Sequence, residues 1–101
     1  MFSIIFHEQA EKEYEAAYSW YGLQKPGLED RFGLAIDETL QKIAANPQYF
    51  GYIKKPFREA VVKVFPYVIV FTIKAKGDIV VISSIFHTSR NPKHKYRRMR
   101  K

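Results

Sequence analysis

Apolar and polar positions follow three different rhythms along the chain's 101 residues. Phe2-Ser3-Ile4-Ile5-Phe6 is a short β-prone run, which predicts a strand with one covered face. From Glu8 the period lengthens. Ala10, Tyr14, Ala17, Tyr18 and Tyr21 recur at helical spacing, with Glu11, Lys12, Glu13 and Glu15 on the opposite side. The acids crowd the first turns, where the helix dipole favours them. Gly22 to Gly27 is a break in which Pro26 restricts Lys25 to extended geometry. A second helix is predicted from about Leu28 to Ala45, with Phe32, Ala35, Ile36, Leu40 and Ile43 as its apolar stripe and Asn46-Pro47 as its stop. Two amphipathic helices on a short loop read as an antiparallel hairpin.

The second half changes in kind. Val61 to Phe65, Tyr67 to Ile73 and Ile79 to Phe86 are β-branched and aromatic, separated by Pro66 and by the turn Lys76-Gly77-Asp78. The pattern therefore predicts an α+β domain: a short N-terminal strand, an antiparallel helical hairpin, then a three-stranded antiparallel meander. The hairpin is expected to pack on one face of the sheet. A single domain over residues 1–96 with a basic tail over 97–101 accounts for the whole length. Tyr14, Tyr18, Trp20 and Tyr21 resemble a recognition stripe, but at helical spacing they are expected to be hairpin core, with Trp20 at its margin.

Charge sharpens the division. Residues 1–49 carry four bases against eight acids, a balance of −4, whereas residues 50–101 carry 13 bases against Glu59 and Asp78, a balance of +11. That asymmetry calls for a polyanionic or acidic partner on the second half. The chain has no cysteine, which removes disulfides, thiol catalysis and Cys-based zinc sites and makes the reducing cytoplasm the expected compartment. The N-terminal apolar run is too short for a signal sequence. The run from Val64 to Ile73 contains Pro66 and Thr72, so no membrane span is expected.

No P-loop, dinucleotide fingerprint or nucleophile elbow is present, and His7-Glu8 lacks the second histidine of a zincin, position 11 being Glu11. No metal or cofactor is expected. The informative groups are basic. Lys54, Lys55, Arg58 and Lys63 lie before and within the first meander strand, while His87, Arg90, Lys93, His94, Lys95 and Tyr96 follow the last. In a meander these stretches can converge on one end or face of the sheet. Cations beside an imidazole and a phenol suit phosphodiester chemistry, with Lys and Arg neutralising phosphate and His or Tyr exchanging protons. The same set suits plain binding of nucleic acid or an acidic peptide. For any single Lys or Arg, ordinary solvation stands beside these roles.

Val62-Lys63-Val64-Phe65-Pro66-Tyr67-Val68-Ile69-Val70-Phe71, followed by Ile85-Phe86-His87-Thr88-Ser89-Arg90-Asn91-Pro92, resembles the RelE/ParE superfamily of toxins from type II toxin–antitoxin modules. The FPY-x-I-x-F strand, the H-x-x-R-N-P ending, the helix ending in NP and the order of elements all match, over essentially the whole chain. The resemblance implies a small bacterial toxin, needing no cofactor, that is neutralised by a co-encoded antitoxin whose acidic, partly disordered segment wraps it into a toxin–antitoxin hetero-oligomer. It implies one of two targets. RelE-like members cleave mRNA in the ribosomal A site, as metal-independent ribosome-dependent endoribonucleases; ParE-like members act on DNA gyrase. On the nuclease pattern, Arg90 and Tyr96 match the Arg and Tyr after the last strand, and Lys54, Lys55 and Lys63 stand in for that site's lysines, with Lys93 and Lys95 as further substrate contacts. RelE-like nucleases also place an Arg ahead of the third strand, where this chain has Phe65-Pro66-Tyr67; the nearest is Arg58. That departure leans toward a ParE-like toxin, with His87 as the alternative base if the chain is a nuclease. A non-toxic nucleic-acid-binding module or an inactive toxin relative is the alternative.

Overall fold

The computed structural model describes residues 1–74 and 76–89. Within them run β1 (Ser3–Phe6), α1 (Glu8–Gln24), α2 (Leu28–Ala45), one 3-10 turn (Pro47–Tyr49), β2 (Tyr52–Lys54), β3 (Phe57–Val61), β4 (Tyr67–Lys74) and β5 (Ile79–His87). The strands form one sheet in the order β1-β5-β4-β3-β2. β1 lies parallel to β5 and every other pairing is antiparallel, so the sheet is mixed.

Local chemistry accounts for the hairpin. His7 caps α1, its Nδ1 accepting the Gln9 N–H at 3.1 Å, and Glu8 and Glu11 occupy the first turn. Lys25 is extended, as Pro26 requires, and Gly27 takes the left-handed φ of 94° that turns the chain into α2. The helices approach closely at Gly33, where a β-carbon would lie 3.1 Å from the Tyr14 hydroxyl. The buried stripe of α2, with Phe32, Ile36 and Ile43, meets Ala10, Ala17 and Tyr21 of α1 over Ile69, Phe71, Val80, Ile82 and Ile85 of the sheet. A smaller cluster of Val68, Val70 and Phe86, packed by Ile53 and Phe57, occupies separate ground from this core.

The α+β class and the strand–hairpin–meander order are as expected; the strand after the hairpin is displaced. Val61 to Phe65 reads as a strand, yet β3 ends at Val61 and residues 62–66 make the turn into β4. Pro66 has no N–H for a ladder. The chain reverses with the Val62 N–H bonded to the Tyr67 carbonyl at 3.0 Å. The apolar run persists because Val62 is buried and Phe65 packs on the core even though they are in a turn. The sheet also gains a fourth antiparallel strand, β2, whose three residues between Gly51 and Pro56 carry too little pattern to be seen.

Val64, at the apex of this turn, has a φ of 76° and is 93% exposed. A β-branched side chain in the left-handed region is strained by about 1–3 kcal/mol. Val64→Gly removes the strain and no burial, against a glycine entropy cost of roughly 0.5–1 kcal/mol. The expected result is a net gain of about 1 kcal/mol in urea unfolding, and an unchanged or lower midpoint would show that the turn is relaxed.

Candidate functional site

A break in the β4–β5 ladder shapes one concavity among the described residues. Val70 pairs with Ser84 but Phe71 pairs with Ile82, so Ser83 is an extra residue and β5 bulges there. Before the bulge, Val80 and Ile82 join the core beneath the helices; after it, that role passes to Ile85, while Phe86 joins the other cluster. The one-residue shift of parity therefore puts His87 beside α1. Glu13 holds the bulge from the helix side. Its Oε1 accepts the Ser84 hydroxyl at 3.0 Å and the Ile85 N–H at 3.1 Å.

The result is a cleft of about 500 Å³ between α1 and the ends of β4 and β5. Ala16 and Ala17 leave room on the helix, Trp20, Tyr21, Tyr67 and His87 supply rings, and Gln9, Lys12 and Glu13 supply polar groups. Trp20 is 54% exposed and stands edge-on to Tyr21 at 5.1 Å, as befits a residue at the margin of the aromatic stripe. The His87 ring lies edge-on to Tyr67 at 5.0 Å. The Ser89 N–H donates to His87 Nδ1 at 3.1 Å, with Ser89 Oγ 2.6 Å from the same atom. His87 Nδ1 is thus engaged by Ser89 on the strand's own end. The phenols around the hairpin are held protonated. Burial pushes those of Tyr14 and Tyr21 up, and Tyr18 is raised chiefly by donating to Asp30 at 2.9 Å.

Arg58 stands elsewhere. Its Nη1 donates to the carbonyls of Phe50, at 2.6 Å, and Gln48, at 3.3 Å, and its Nη2 to the Tyr52 hydroxyl at 2.8 Å. The guanidinium thus secures the segment between α2 and β2. Register fixes its distance from the cleft: Arg58 faces Phe71 across β3–β4, whereas His87 faces Tyr67 across β4–β5. Four residues along the strands and two strands across amount to about 16 Å between their Cα atoms. Lys54 and Lys55 lie with Arg58 at the β2–β3 hairpin, and Lys63 sits in the β3–β4 turn facing α2. Arg90, Lys93, Lys95 and Tyr96 lie outside the described residues. The described candidates therefore fall in three places, an imidazole–aromatic cleft, a cation-rich hairpin and, apart from both, Lys63 beside α2.

Glu13 reads in the sequence as part of the polar side of α1, and its role at the bulge is visible only in the fold. Its signal is positional, since it sits three residues after Ala10 and four before Ala17, both buried. Among the described residues no group of three or more His, Asp or Glu side chains could hold a metal ion, and no helix is long and apolar enough to cross a membrane.

Two solved structures share this architecture. The chromosomal ParDE toxin–antitoxin system from P. aeruginosa aligns with a TM-score of 0.75 and 19% identity, over 88% of this chain and 98% of that one. The isolated E. coli RelE toxin aligns with a TM-score of 0.63 and 17% identity, over 99% and 98%. The fold is thus that of the RelE/ParE toxins. Residues 4–92 match the family model of the ParE toxin of the type II toxin–antitoxin system, parDE, and the chain belongs to that family. No curated protein matches it in sequence.

Proposed function

We propose that this toxin arrests growth by binding DNA gyrase, and that a cognate acidic antitoxin neutralises it in the cytoplasm. Membership of the ParE family supports the target class. One observation favours binding over mRNA cleavage: Arg58 is committed to the Phe50 and Gln48 carbonyls, about 16 Å from a His87 whose Nδ1 is already an acceptor. A general base and a phosphate-stabilising cation need to flank one reacting group. The cleft instead offers what a protein contact uses, an exposed Trp20 on a ring-lined floor. The structural neighbour from a ParDE system supports an antitoxin partner, and the +11 balance of residues 50–101 suits an acidic segment.

Induced expression is expected to stop growth, with relief by the antitoxin encoded beside it. Extracts should show loss of gyrase supercoiling, while primer extension finds transcripts intact. Trp20→Ala should weaken supercoiling inhibition at least about tenfold without changing the circular dichroism spectrum. Transcript cleavage at defined positions with normal supercoiling, abolished by Arg90→Ala or His87→Ala, would overturn the gyrase assignment in favour of a ribosome-dependent nuclease.

A further inference from the structure

Of the nine large hydrophobic side chains left exposed among the described residues, four border one trough: Leu34, Tyr49, Val61 and Val64. The trough consists of two adjoining concavities, of about 470 and 370 Å³, that share Ala35, Glu38 and Lys63. It follows the whole of α2, whose 18 residues extend about 27 Å. Val64 is held at a φ of 76° with 93% of its surface exposed, so the strained turn aims an apolar side chain away from its own core.

The outward face of α2 is self-complementary. Arg31, Leu34 and Glu38 are spaced three and four residues apart, so they form one row, and all three are exposed. Arg31 and Glu38 are seven residues apart, beyond the spacing at which side chains of one helix meet, and neither makes an ion pair with any described residue. Turned end for end against a copy of itself, the helix places Arg31 opposite Glu38, because the two are symmetric about the point between Leu34 and Ala35. The same axis sets the large Leu34 against the small Ala35. The trough mixes Arg31, Lys42 and Lys63 with Glu38 and Glu59, so it presents no field of one sign to a strongly acidic or basic partner.

We propose that a second copy of this chain occupies the trough, the two α2 helices packing antiparallel about a two-fold axis between Leu34 and Ala35. Such an interface is isologous, so every contact is made twice. Leu34 of each copy enters the other's concavity beside Ala35 and Val64, and each Arg31 meets the other copy's Glu38. The strained turn thereby acquires a role, because Val64 leaves water only in the pair. An interface of one helix and one turn is small, which makes the pairing reversible, with a Kd on the order of micromolar. The trough shares no lining residue with the His87 cleft, so the proposal stands or falls independently of gyrase inhibition.

The test is sedimentation equilibrium of the full chain from about 1 to about 200 µM, a range that brackets the expected Kd. The average mass should climb from one chain toward two. Leu34→Glu, which sets two carboxylates beside the axis, should weaken pairing at least about tenfold with an unchanged circular dichroism spectrum. Arg31→Glu and Glu38→Arg each oppose like charges at two places and should weaken it at least about threefold. Combining them restores opposite charges, and the double variant should return to within about twofold of the parent. Only the antiparallel register accounts for that rescue. Val64→Gly should loosen the pair even though it steadies the turn at concentrations where the chain is single. A one-chain mass throughout the range, which leaves the trough to a different partner, would overturn the proposal. So would a dimer indifferent to Leu34→Glu, or a charge swap that pairs no more tightly than either single variant.

Discussion

Truncating Phe32 to alanine is expected to remove about 3–5 kcal/mol of stability. Phe32 is fully buried, with ring centres of Tyr14, Tyr21, Phe65 and Tyr67 all within 5.0–5.8 Å. These rings come from α1, the β3–β4 turn and β4, so the hole left behind adjoins three elements that cannot all move inward. A domain of this size is stable by roughly 5–15 kcal/mol in total. The Tm should therefore fall by at least about 12 °C. The effect reaches function, because Tyr21 and Tyr67 also wall the cleft. Phe32→Leu keeps most of the volume and should lose less than half as much. Urea unfolding followed by circular dichroism decides the matter: a loss below about 1 kcal/mol for the alanine variant would mean that the cluster collapses onto the vacancy.

The same cluster shows which parts of the molecule can be read from sequence. Tyr14 and Tyr21 on α1 and Phe32 on α2 fall on helical stripes, and the burial of Tyr21 and Phe32 and the half-burial of Tyr14 follow from that period alone. Asn46-Pro47 and Pro26 mark helix ends because proline acts through its own ring, whatever the tertiary context. The β3–β4 turn misleads for the opposite reason. Val61 to Phe65 has strand composition, yet the left-handed backbone at Val64 is imposed by the reversal that brings Val62 and Phe65 onto the core. The bulge at Ser83 leaves no local trace, since it is a property of how β5 pairs with β4 and not of β5 itself. His87 could be recognised as a candidate, but its place beside α1 could not. Arg58 illustrates the same limit: its carbonyl partners lie in a segment with no periodic signal. The resemblance carried by Phe65-Pro66-Tyr67 and His87 to Pro92 identified the family where the periodicity alone gave only α+β.

The bulge also sets up the second large effect. Glu13→Ala is expected to destabilise the chain by about 2–3 kcal/mol, although Glu13 is itself only half-buried. A hydrogen bond to a charged acceptor contributes about 1.5–3 kcal/mol, and a buried donor left without its partner costs about 1–3. Here the Ser84 hydroxyl and the Ile85 N–H lose the same oxygen, and both residues are 2% exposed. Glu13→Gln keeps a carbonyl oxygen at that place and should cost about half as much. Stability is only part of the consequence. The bulge is the device that puts His87 on the helix side, and Glu13 is its anchor from across the core. Without that anchor, β5 can pair in the unbulged register, which exchanges the faces of every residue from Ser84 onward. Hydrogen exchange at the Ile85 amide should therefore accelerate in Glu13→Ala more than at Val80 or Ile82, which precede the bulge. On the proposed gyrase reading, supercoiling inhibition should fall with it even at temperatures where the variant is fully folded. If Glu13→Ala instead unfolds in one transition with uniform exchange along β5 and matches the parent chain in the supercoiling assay of the proposed function when folded, the carboxylate contributes stability alone and the cleft owes its shape to packing of Tyr67 and Ile85.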